Sequence, residues 1–200
     1  MARDRDVQAF HERAPGYESG PLGQMHGQII RRTLDIALSC APAPGRVLDV
    51  GCGTGLLLRQ LASRLPEAVE LVGIDPAPGM VEVATAAPGD PRLRFLAGTA
   101  ERLPLPDATF DLVVSTTSFD HWADQRAGLA ECARVLAPGG QLVLADQFSA
   151  WLLPTLLFGH RRGRARTSRR ASRLLTDAGF HSCTWHDVYA VIIRAVVATK

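Results

Sequence analysis

The sequence predicts an α/β fold: a single three-layer domain in which helices cover both faces of a mostly parallel, seven-stranded sheet. Short apolar runs rich in β-branched residues alternate with helical patterns along most of the chain. A glycine-rich turn at residues 51–55 joins the first of these runs to a helical pattern. Two further apolar runs end the chain with a tight connection between them, which is typical of an antiparallel hairpin at a sheet edge.

The first elements are helical. Residues 1–20 are polar and contain the helix breakers Pro15 and Gly16, so they predict a short helix and then a loop. Apolar residues at near-helical spacing predict a second helix over residues 22–40, and Pro42 closes it.

Five strands and their connecting helices follow. The predicted strands cover residues 46–50, 70–74, 93–96, 110–115 and 141–146, and the predicted helices cover residues 54–65, 78–87 and 124–136. Residues 137–140 predict a turn before the fifth strand. Because strands that alternate with helices form parallel sheets with right-handed crossovers, few topologies remain.

The pattern changes after residue 146. Residues 151–158 form an apolar patch, and residues 160–173 carry seven arginines. A helix is predicted over residues 168–178, before Gly179. Strands over residues 183–189 and 191–199 complete the predicted sheet as its edge hairpin.

Composition limits the classes of function. The chain has 200 residues, 46% of them hydrophobic, which suits one domain. A net charge of +2 gives no argument for nucleic acid or membrane as a partner. The four cysteines lack C-x-x-C spacing and the N-terminus lacks an apolar signal core, so a cytoplasmic protein with reduced thiols is predicted. No apolar run reaches the roughly 18 residues of a membrane span. Oligomeric state is not predicted.

The glycine turn and the carboxylate before it predict a ligand. The spacing is G-x-G-x-G, whereas a dinucleotide fold needs a third glycine at the position of Leu56. Asp49 lies two residues before Gly51. A carboxylate repels a nearby pyrophosphate but attracts a ligand that carries an amino group and a sulfonium. The turn therefore favours S-adenosylmethionine over NAD.

A second acid, Asp75, ends the second strand. A carboxylate there can accept hydrogen bonds from both ribose hydroxyls, which suits either cofactor. Pro76 and Met80 follow it, and Met80 offers an apolar side chain to an adenine face. After the third strand come Thr99, Ala100 and Glu101, where a small residue and an acid can meet the adenine ring and its exocyclic amine.

Four segments in order carry a family resemblance. They are VLDVGCGTG (47–55), LVGIDPAPGM (71–80), AGTAERLPLPDATFDLVVS (97–115) and RVLAPGGQLVLAD (134–146). The chain resembles the class I S-adenosylmethionine-dependent methyltransferases, in particular the type 11 group that includes quinone-biosynthesis C-methyltransferases. The resemblance is strong over about residues 5–146. It implies a Rossmann-like sandwich, S-adenosylmethionine as cofactor with S-adenosylhomocysteine as product, and a small-molecule methyl acceptor.

The resemblance also implies the site residues. Asp49, Gly51, Cys52 and Gly53 would lie near the methionine moiety, Asp75 on the ribose, Pro76, Met80, Thr99, Ala100 and Glu101 around the adenine, and Ser115 beside the sulfonium. Residues 10–18 resemble the family's N-terminal segment, so residues 1–25 are predicted to form a lid with Tyr17 over the cofactor. Residues 147–165 are predicted to be an insertion on the substrate side.

Methyl transfer is an in-line displacement that requires alignment above all. A general base is needed only where the acceptor bears a proton that must leave early. His121 is the predicted base, and Asp120 is the second choice. His181, Cys183 and His186 invite a metal site, but on a regular strand His186 points away from the other two and no fourth ligand is evident. No metal is predicted.

Three alternatives stay open at this point. The arginine run favours a nucleic-acid methyltransferase, although residues 115–118 lack the Asn/Asp-Pro-Pro-aromatic motif usual in base-amino methyltransferases. Asp75 also suits a nicotinamide-dependent oxidoreductase. The chain is short for an elaborate lid, which suits a cofactor-binding protein without methyltransferase activity.

Overall fold

The computed structural model describes residues 2–148, 167–190 and 192–200. Its strands are β1 (Arg46–Val50), β2 (Glu70–Asp75), β3 (Leu93–Ala97), β4 (Phe110–Thr116), β5 (Leu136–Gln147), β6 (His181–Tyr189) and β7 (Ile193–Thr199). They form one seven-stranded sheet in the order β3-β2-β1-β4-β5-β7-β6. β1 to β5 are parallel, whereas β7 is antiparallel to both β5 and β6. The predicted fold class and the edge hairpin are confirmed.

Helices cover both faces of the sheet. They are α1 (Ala2–Arg13), α2 (Gly20–Cys40), α3 (Leu56–Arg64), α4 (Pro78–Ala86), α5 (Gln125–Val135) and α6 (Ser168–Asp177). Short 3-10 helices cover Ala14–Gly16 and Phe119–His121.

Side-chain alternation along the strands divides the core in two. Val47 packs with α2 and α3 on one face, and its neighbour Leu48 packs with α5 and α6 on the other. Both side chains are fully buried, and burial of such a side chain contributes about 1.5–3 kcal/mol. Because both faces are covered, the apolar residues Val47, Leu48 and Val50 point to both sides of β1, with Asp49 as its one buried acid.

The start of β5 corrects one sequence prediction. Residues 137–140 are not a turn outside the strand, because β5 already begins at Leu136. The register shifts between the pairs Phe110–Leu136 and Leu112–Gln141, so the extra residues form a bulge. Gly139, at φ +78°, supplies the positive backbone angle that such a bulge requires.

A second bulge corrects the predicted geometry of β6. Ser182 has φ +40°, and the register shifts there so that His181 and Cys183 pair with the adjacent residues Thr199 and Ala198. Adjacent positions on a strand point to opposite faces, so His181 and Cys183 do not share a face. No group of three potential metal ligands occurs within the described ranges.

The apolar patch at 151–158 and most of the arginine run lie outside the described residues; Arg169, Arg170 and Arg173 lie on α6. None of the helices in the described part of the chain is both long and apolar enough to cross a membrane.

Candidate active site

A cavity opens at the carboxyl ends of the central strands. Its walls include residues directly after β1, β2, β3 and β4, together with residues from α1, α2 and the segment between them. β2 and β3 lie on one side of β1, whereas β4 lies on its other side, so the strand order reverses between β1 and β4. Open α/β sheets bind ligands at such a switch point.

The glycine turn forms the floor of the cavity, and its first glycine is required. Gly51 has φ +78°, and a Cβ at this position would lie 2.3 Å from Ser118 Oγ. A side chain here would be strained in its backbone and would also collide with the segment after β4. Glycine therefore lets β1 and the end of β4 approach each other at the cavity.

The backbone N–H groups of this turn are already bonded within the protein. Those of Gly51 and Cys52 both donate to the Ile74 carbonyl, at 2.7 and 3.0 Å. That of Gly53 donates to Asp75 Oδ2 at 2.9 Å. A phosphate-binding turn instead points such donors at its ligand. The turn therefore lacks the free donors that a pyrophosphate would need at these three positions.

Asp49 places a buried carboxyl group in the wall of the cavity. It is 2% exposed, and no side chain or N–H of the described residues hydrogen-bonds to its carboxylate. Burial, and after it the charge of Asp75, raises the pKa of Asp49 to about 8. A cation in the cavity would stabilise the ionised form, so the site favours a positively charged ligand group.

Asp75 links the glycine turn to the start of α4. Its Oδ2 accepts the Gly53 N–H and its Oδ1 accepts the Ala77 N–H, both at 2.9 Å. Burial raises the pKa of Asp75, and the two N–H donors oppose that rise. Each carboxylate oxygen retains further acceptor capacity toward the cavity, which suits a pair of ligand hydroxyls.

The N-terminal segment lines the cavity, and hydrogen bonds attach it at two points. His11 Nδ1 accepts the Gly79 N–H at 2.8 Å, which joins α1 to the first turn of α4. Glu18 accepts hydrogen bonds from the Thr54 hydroxyl and from Arg59 Nη2, the latter at 2.9 Å. Tyr17 lies between these anchors and lines the cavity. Burial, and then the charge of Asp75, raises its pKa to about 12.

Comparison with known proteins identifies the family. The family described as "Methyltransferase domain" matches residues 48–144. Over 192 residues the chain is 35% identical to the malonyl-[acyl-carrier protein] O-methyltransferase of Geobacter sulfurreducens, an alignment that covers 90% of this chain and 71% of that protein. The chain belongs to the class I S-adenosylmethionine-dependent methyltransferases.

Other relatives of this methyltransferase domain are longer. It is 47% identical over 112 residues to the demethylmenaquinone methyltransferase of Deinococcus radiodurans, covering 55% of this chain and 46% of that protein. It is 44% identical over 118 residues to the Thermus thermophilus enzyme of the same name, covering 58% and 52%. The chain thus spans about half the length of these two relatives.

Solved structures share the fold. The methyltransferase solved in complex with the Haloferax volcanii Trm112 methyltransferase activator superposes with a TM-score of 0.80 at 24% identity, over 96% of each chain. A SAM-dependent methyltransferase from Aquifex aeolicus gives a TM-score of 0.71 at 20% identity, over 96% of this chain and 97% of its own. These likenesses support the architecture of the methyltransferase domain.

The structure brings nearly all the site residues predicted from sequence to one cavity. Those that line it are Tyr17, Asp49, Gly51, Cys52, Gly53, Asp75, Pro76, Met80, Thr99, Ala100, Glu101 and His121. Glu101 Oε1 also accepts the N–H groups of Ala123 and Asp124, at 2.6 and 3.1 Å. Burial raises the pKa of Glu101, but these donors and its other hydrogen bonds outweigh burial and lower it overall.

Ser115 is the exception, because it lies behind the cavity wall. It is fully buried, and its hydroxyl is 2.7 Å from Ser118 Oγ. Ser118 donates to the Val50 carbonyl at 2.9 Å and accepts the Trp122 indole N–H at 3.2 Å. Since the single hydroxyl proton of Ser118 is used on Val50, Ser115 is the donor of this pair. Ser118 reaches the cavity in its place, and sequence analysis did not single it out.

His121 lies at the mouth of the cavity. Its Nδ1 is 3.7 Å from Asp6 Oδ2, and its ring meets that of Phe10 edge-on at 5.1 Å. Its side chain is 40% exposed. Asp120 is not among the described lining residues, and its backbone N–H donates to the buried carboxylate of Asp146 at 3.1 Å. The role of His121 as a base stays a prediction.

His26 and Thr117 are the main site residues that sequence analysis missed. His26 Nε2 lies 2.5 Å from Thr117 Oγ1, and both residues line the cavity. They are 91 positions apart, and a histidine within a helix carries no signal of such a partner. Thr117 directly follows the last residue of β4, Thr116.

Proposed function

We propose that this domain transfers a methyl group from S-adenosylmethionine to a small-molecule acceptor by in-line displacement. The observation that carries the proposal is Asp49, a buried carboxyl group without a hydrogen-bond partner among the described residues, beside a turn whose first three N–H groups are already used. This combination suits a cationic amino acid moiety and opposes a pyrophosphate.

The other lining residues suit the remaining parts of the cofactor. Asp75 would accept hydrogen bonds from the ribose hydroxyls, and the buried Met80 would pack against the adenine beside Ala100. Tyr17 would cover the cofactor from the N-terminal side, where its ring can attract a sulfonium. When bound, S-adenosylmethionine supplies the activated methyl group. The protein holds the two reactants in line and excludes water.

The charge of the cavity favours a small acceptor over a nucleic acid. Five acidic residues and no lysine or arginine are among its described lining: Asp6, Glu18, Asp49, Asp75 and Glu101. Such a wall repels a phosphate backbone. Relatives named as demethylmenaquinone and malonyl-[acyl-carrier protein] methyltransferases support a metabolic acceptor.

We also propose that residues 1–200 form a single domain. We propose a cytoplasmic location as well, because all four cysteines are free.

Calorimetric titration tests the proposal. S-adenosylmethionine and S-adenosylhomocysteine are expected to bind near micromolar strength, and NADH is expected not to bind. Asp75→Ala should abolish binding of both, since it removes the ribose acceptor and also frees the glycine turn. Asp35→Ala is the matched control, because it removes an exposed carboxylate that pairs with Arg64 outside the cavity. Binding of NADH, or no binding of either methyl-cofactor form, would overturn the proposal.

A further inference from the structure

We propose that His26 and Thr117 form a proton-accepting pair that binds and activates a hydroxyl group of the methyl acceptor. The proposal rests on the proposed methyltransferase function and deepens it. It names a class of acceptor: a compound whose reacting oxygen carries a proton, such as a phenol or an enol.

The pair lies on the cavity wall at the end of β4, the strand that pairs with β1 at Asp49. Thr117 directly precedes Ser118, whose hydroxyl is bonded to the last residue of β1, Val50. β4 also pairs with β1 at Asp49, in register with Val114. Thr117 is therefore next to the end of the cavity that would receive the cationic part of the cofactor. His26 reaches the same wall from α2.

The backbone of Thr117 is held in a conformation that threonine rarely adopts. Its φ is +53°, in the left-handed region, where a β-branched residue is an outlier. The N–H of Thr117 donates to the Ala145 carbonyl at 2.8 Å, which fixes the strained turn to β5. Strain of this kind concentrates at functional sites because the surrounding structure must enforce it. Here it directs the Thr117 hydroxyl at His26.

An unsatisfied hydroxyl lies beside the pair. Thr116 Oγ1 is buried and has no hydrogen-bond partner among the described residues, although Thr116 lines the cavity. A buried polar group without a partner is costly, so this end of β4, like the strained backbone of Thr117, departs from ordinary core packing.

His26 is kept in the neutral form that can accept a proton. Burial lowers the pKa of its imidazole, and no charged side chain contributes to this shift. Tyr17 packs against His26 with its ring centre 5.2 Å away, and its own pKa is raised to about 12, so it is also neutral. The neighbouring carboxylate of Glu18 is held by Arg59 and Thr54.

The proposed reaction moves the acceptor's proton to the pair while the methyl group moves to the acceptor oxygen. The acceptor hydroxyl gives its proton to Thr117 Oγ1 while the Thr117 proton passes to His26 Nε2, which becomes an imidazolium. The acceptor oxygen keeps the electron pair that forms its bond to the methyl carbon. The electron pair of the broken carbon–sulfur bond stays on sulfur. No oxidant, metal or further reactant is needed.

The protonation state of His26 can be tested in the ligand-free protein. With ¹⁵N-labelled histidine, and with His26→Gln to assign the ring, Nε2 should lack a proton at pH 7. Thr117→Val removes the hydroxyl donor but keeps the side-chain shape, so it should raise the pKa of His26 by about half a unit or more. Thr117→Ser should restore the wild-type value. A protonated Nε2 at pH 7, or a pKa that Thr117→Val leaves unchanged, would overturn the pair.

Binding of a hydroxyl probe tests the acceptor class. In protein saturated with S-adenosylhomocysteine, 2-naphthol should bind at least about tenfold more tightly than 2-methylnaphthalene, which has the same shape without the hydroxyl. Thr117→Val should remove this preference. Equal binding of the two probes, or no binding of either, would overturn the proposal. Failure of S-adenosylhomocysteine to bind would instead count against the methyltransferase function, and the histidine titration would still decide the pair.

Discussion

Asp49→Asn removes the charge of the buried carboxyl in the cavity wall and changes its shape very little. In the ligand-free protein the pKa of Asp49 is raised to about 8 by burial and by Asp75. The carboxyl is therefore mostly protonated at neutral pH. If it holds the ammonium group of the cofactor, it must ionise on binding, so binding must release a proton.

The number of protons released on binding, and the change of the dissociation constant with pH, both follow from the pKa of Asp49. At pH 7 roughly nine in ten molecules carry the Asp49 proton, so cofactor binding should release close to one proton. Between pH 6 and 7 the dissociation constant should fall about tenfold, because binding requires the ionised form. The cofactor's own amino group, with a pKa of about 8, is almost fully protonated throughout that range and contributes little.

Calorimetry in two buffers of different ionisation enthalpy measures the protons released. The wild-type protein and the Asp35→Asn control should both release close to one proton at pH 7. Asp49→Asn should release almost none, and its weaker binding should not change between pH 6 and 7. Release of no proton by the wild type, or the same release by Asp49→Asn, would refute the assignment of Asp49 as the partner of the cationic group.

Three further predictions concern stability. Gly51→Ala should lower the unfolding free energy in urea by about 3 kcal/mol, because it combines backbone strain with a collision at Ser118. Gly139→Ala is the control, because Gly139 has the same φ of +78° but open space around it, so this change should lower the unfolding free energy by only about 1 kcal/mol. Equal losses of unfolding free energy in the two variants would show that the protein relieves the collision with Ser118. Because the pKa of Asp49 is raised to about 8 in the folded protein, the unfolding free energy of the wild type relative to Asp49→Asn should be highest below about pH 4 and should fall by about 1.4 kcal/mol per pH unit up to about pH 8. A difference in unfolding free energy between the two proteins that does not change with pH would contradict this. Asp124→Ala removes the N-cap of α5, which accepts two backbone N–H bonds, and should cost about 1 kcal/mol in the same assay; an unchanged midpoint would argue against the cap.

The elements that sequence predicted best are those with strong local signals. β1 was predicted with its observed bounds because a run of apolar residues ends at the glycine turn. α6 ends where Gly179, at φ +91°, follows its last turn. The bulge at Ser182 was missed because it arises from pairing with β7 and leaves no local pattern. The Pro-Gly-Gly pattern at residues 138–140 was detected, but it was interpreted as a turn before the strand because only the pairing with β4 shows that the strand begins at Leu136.

The candidate site divides in the same way. Asp49 was predicted because it lies two residues before the first glycine of the turn, and Asp75 was predicted because it ends β2. His26 was missed because its partner Thr117 comes from a strand end 91 positions away, and only the fold joins them. The family resemblance implied Ser115 beside the cofactor, yet Ser115 lies behind Ser118, which lines the cavity.

We propose that the cavity binds S-adenosylmethionine with its cationic end on Asp49, and a crystal structure of the protein with S-adenosylhomocysteine would show whether it does. The ligand's ammonium nitrogen is expected about 2.7–2.9 Å from an Asp49 oxygen, with the ribose hydroxyls on Asp75. A ligand whose ammonium group lies away from Asp49, or whose carboxylate lies against it, would show that Asp49 does not hold the cationic group.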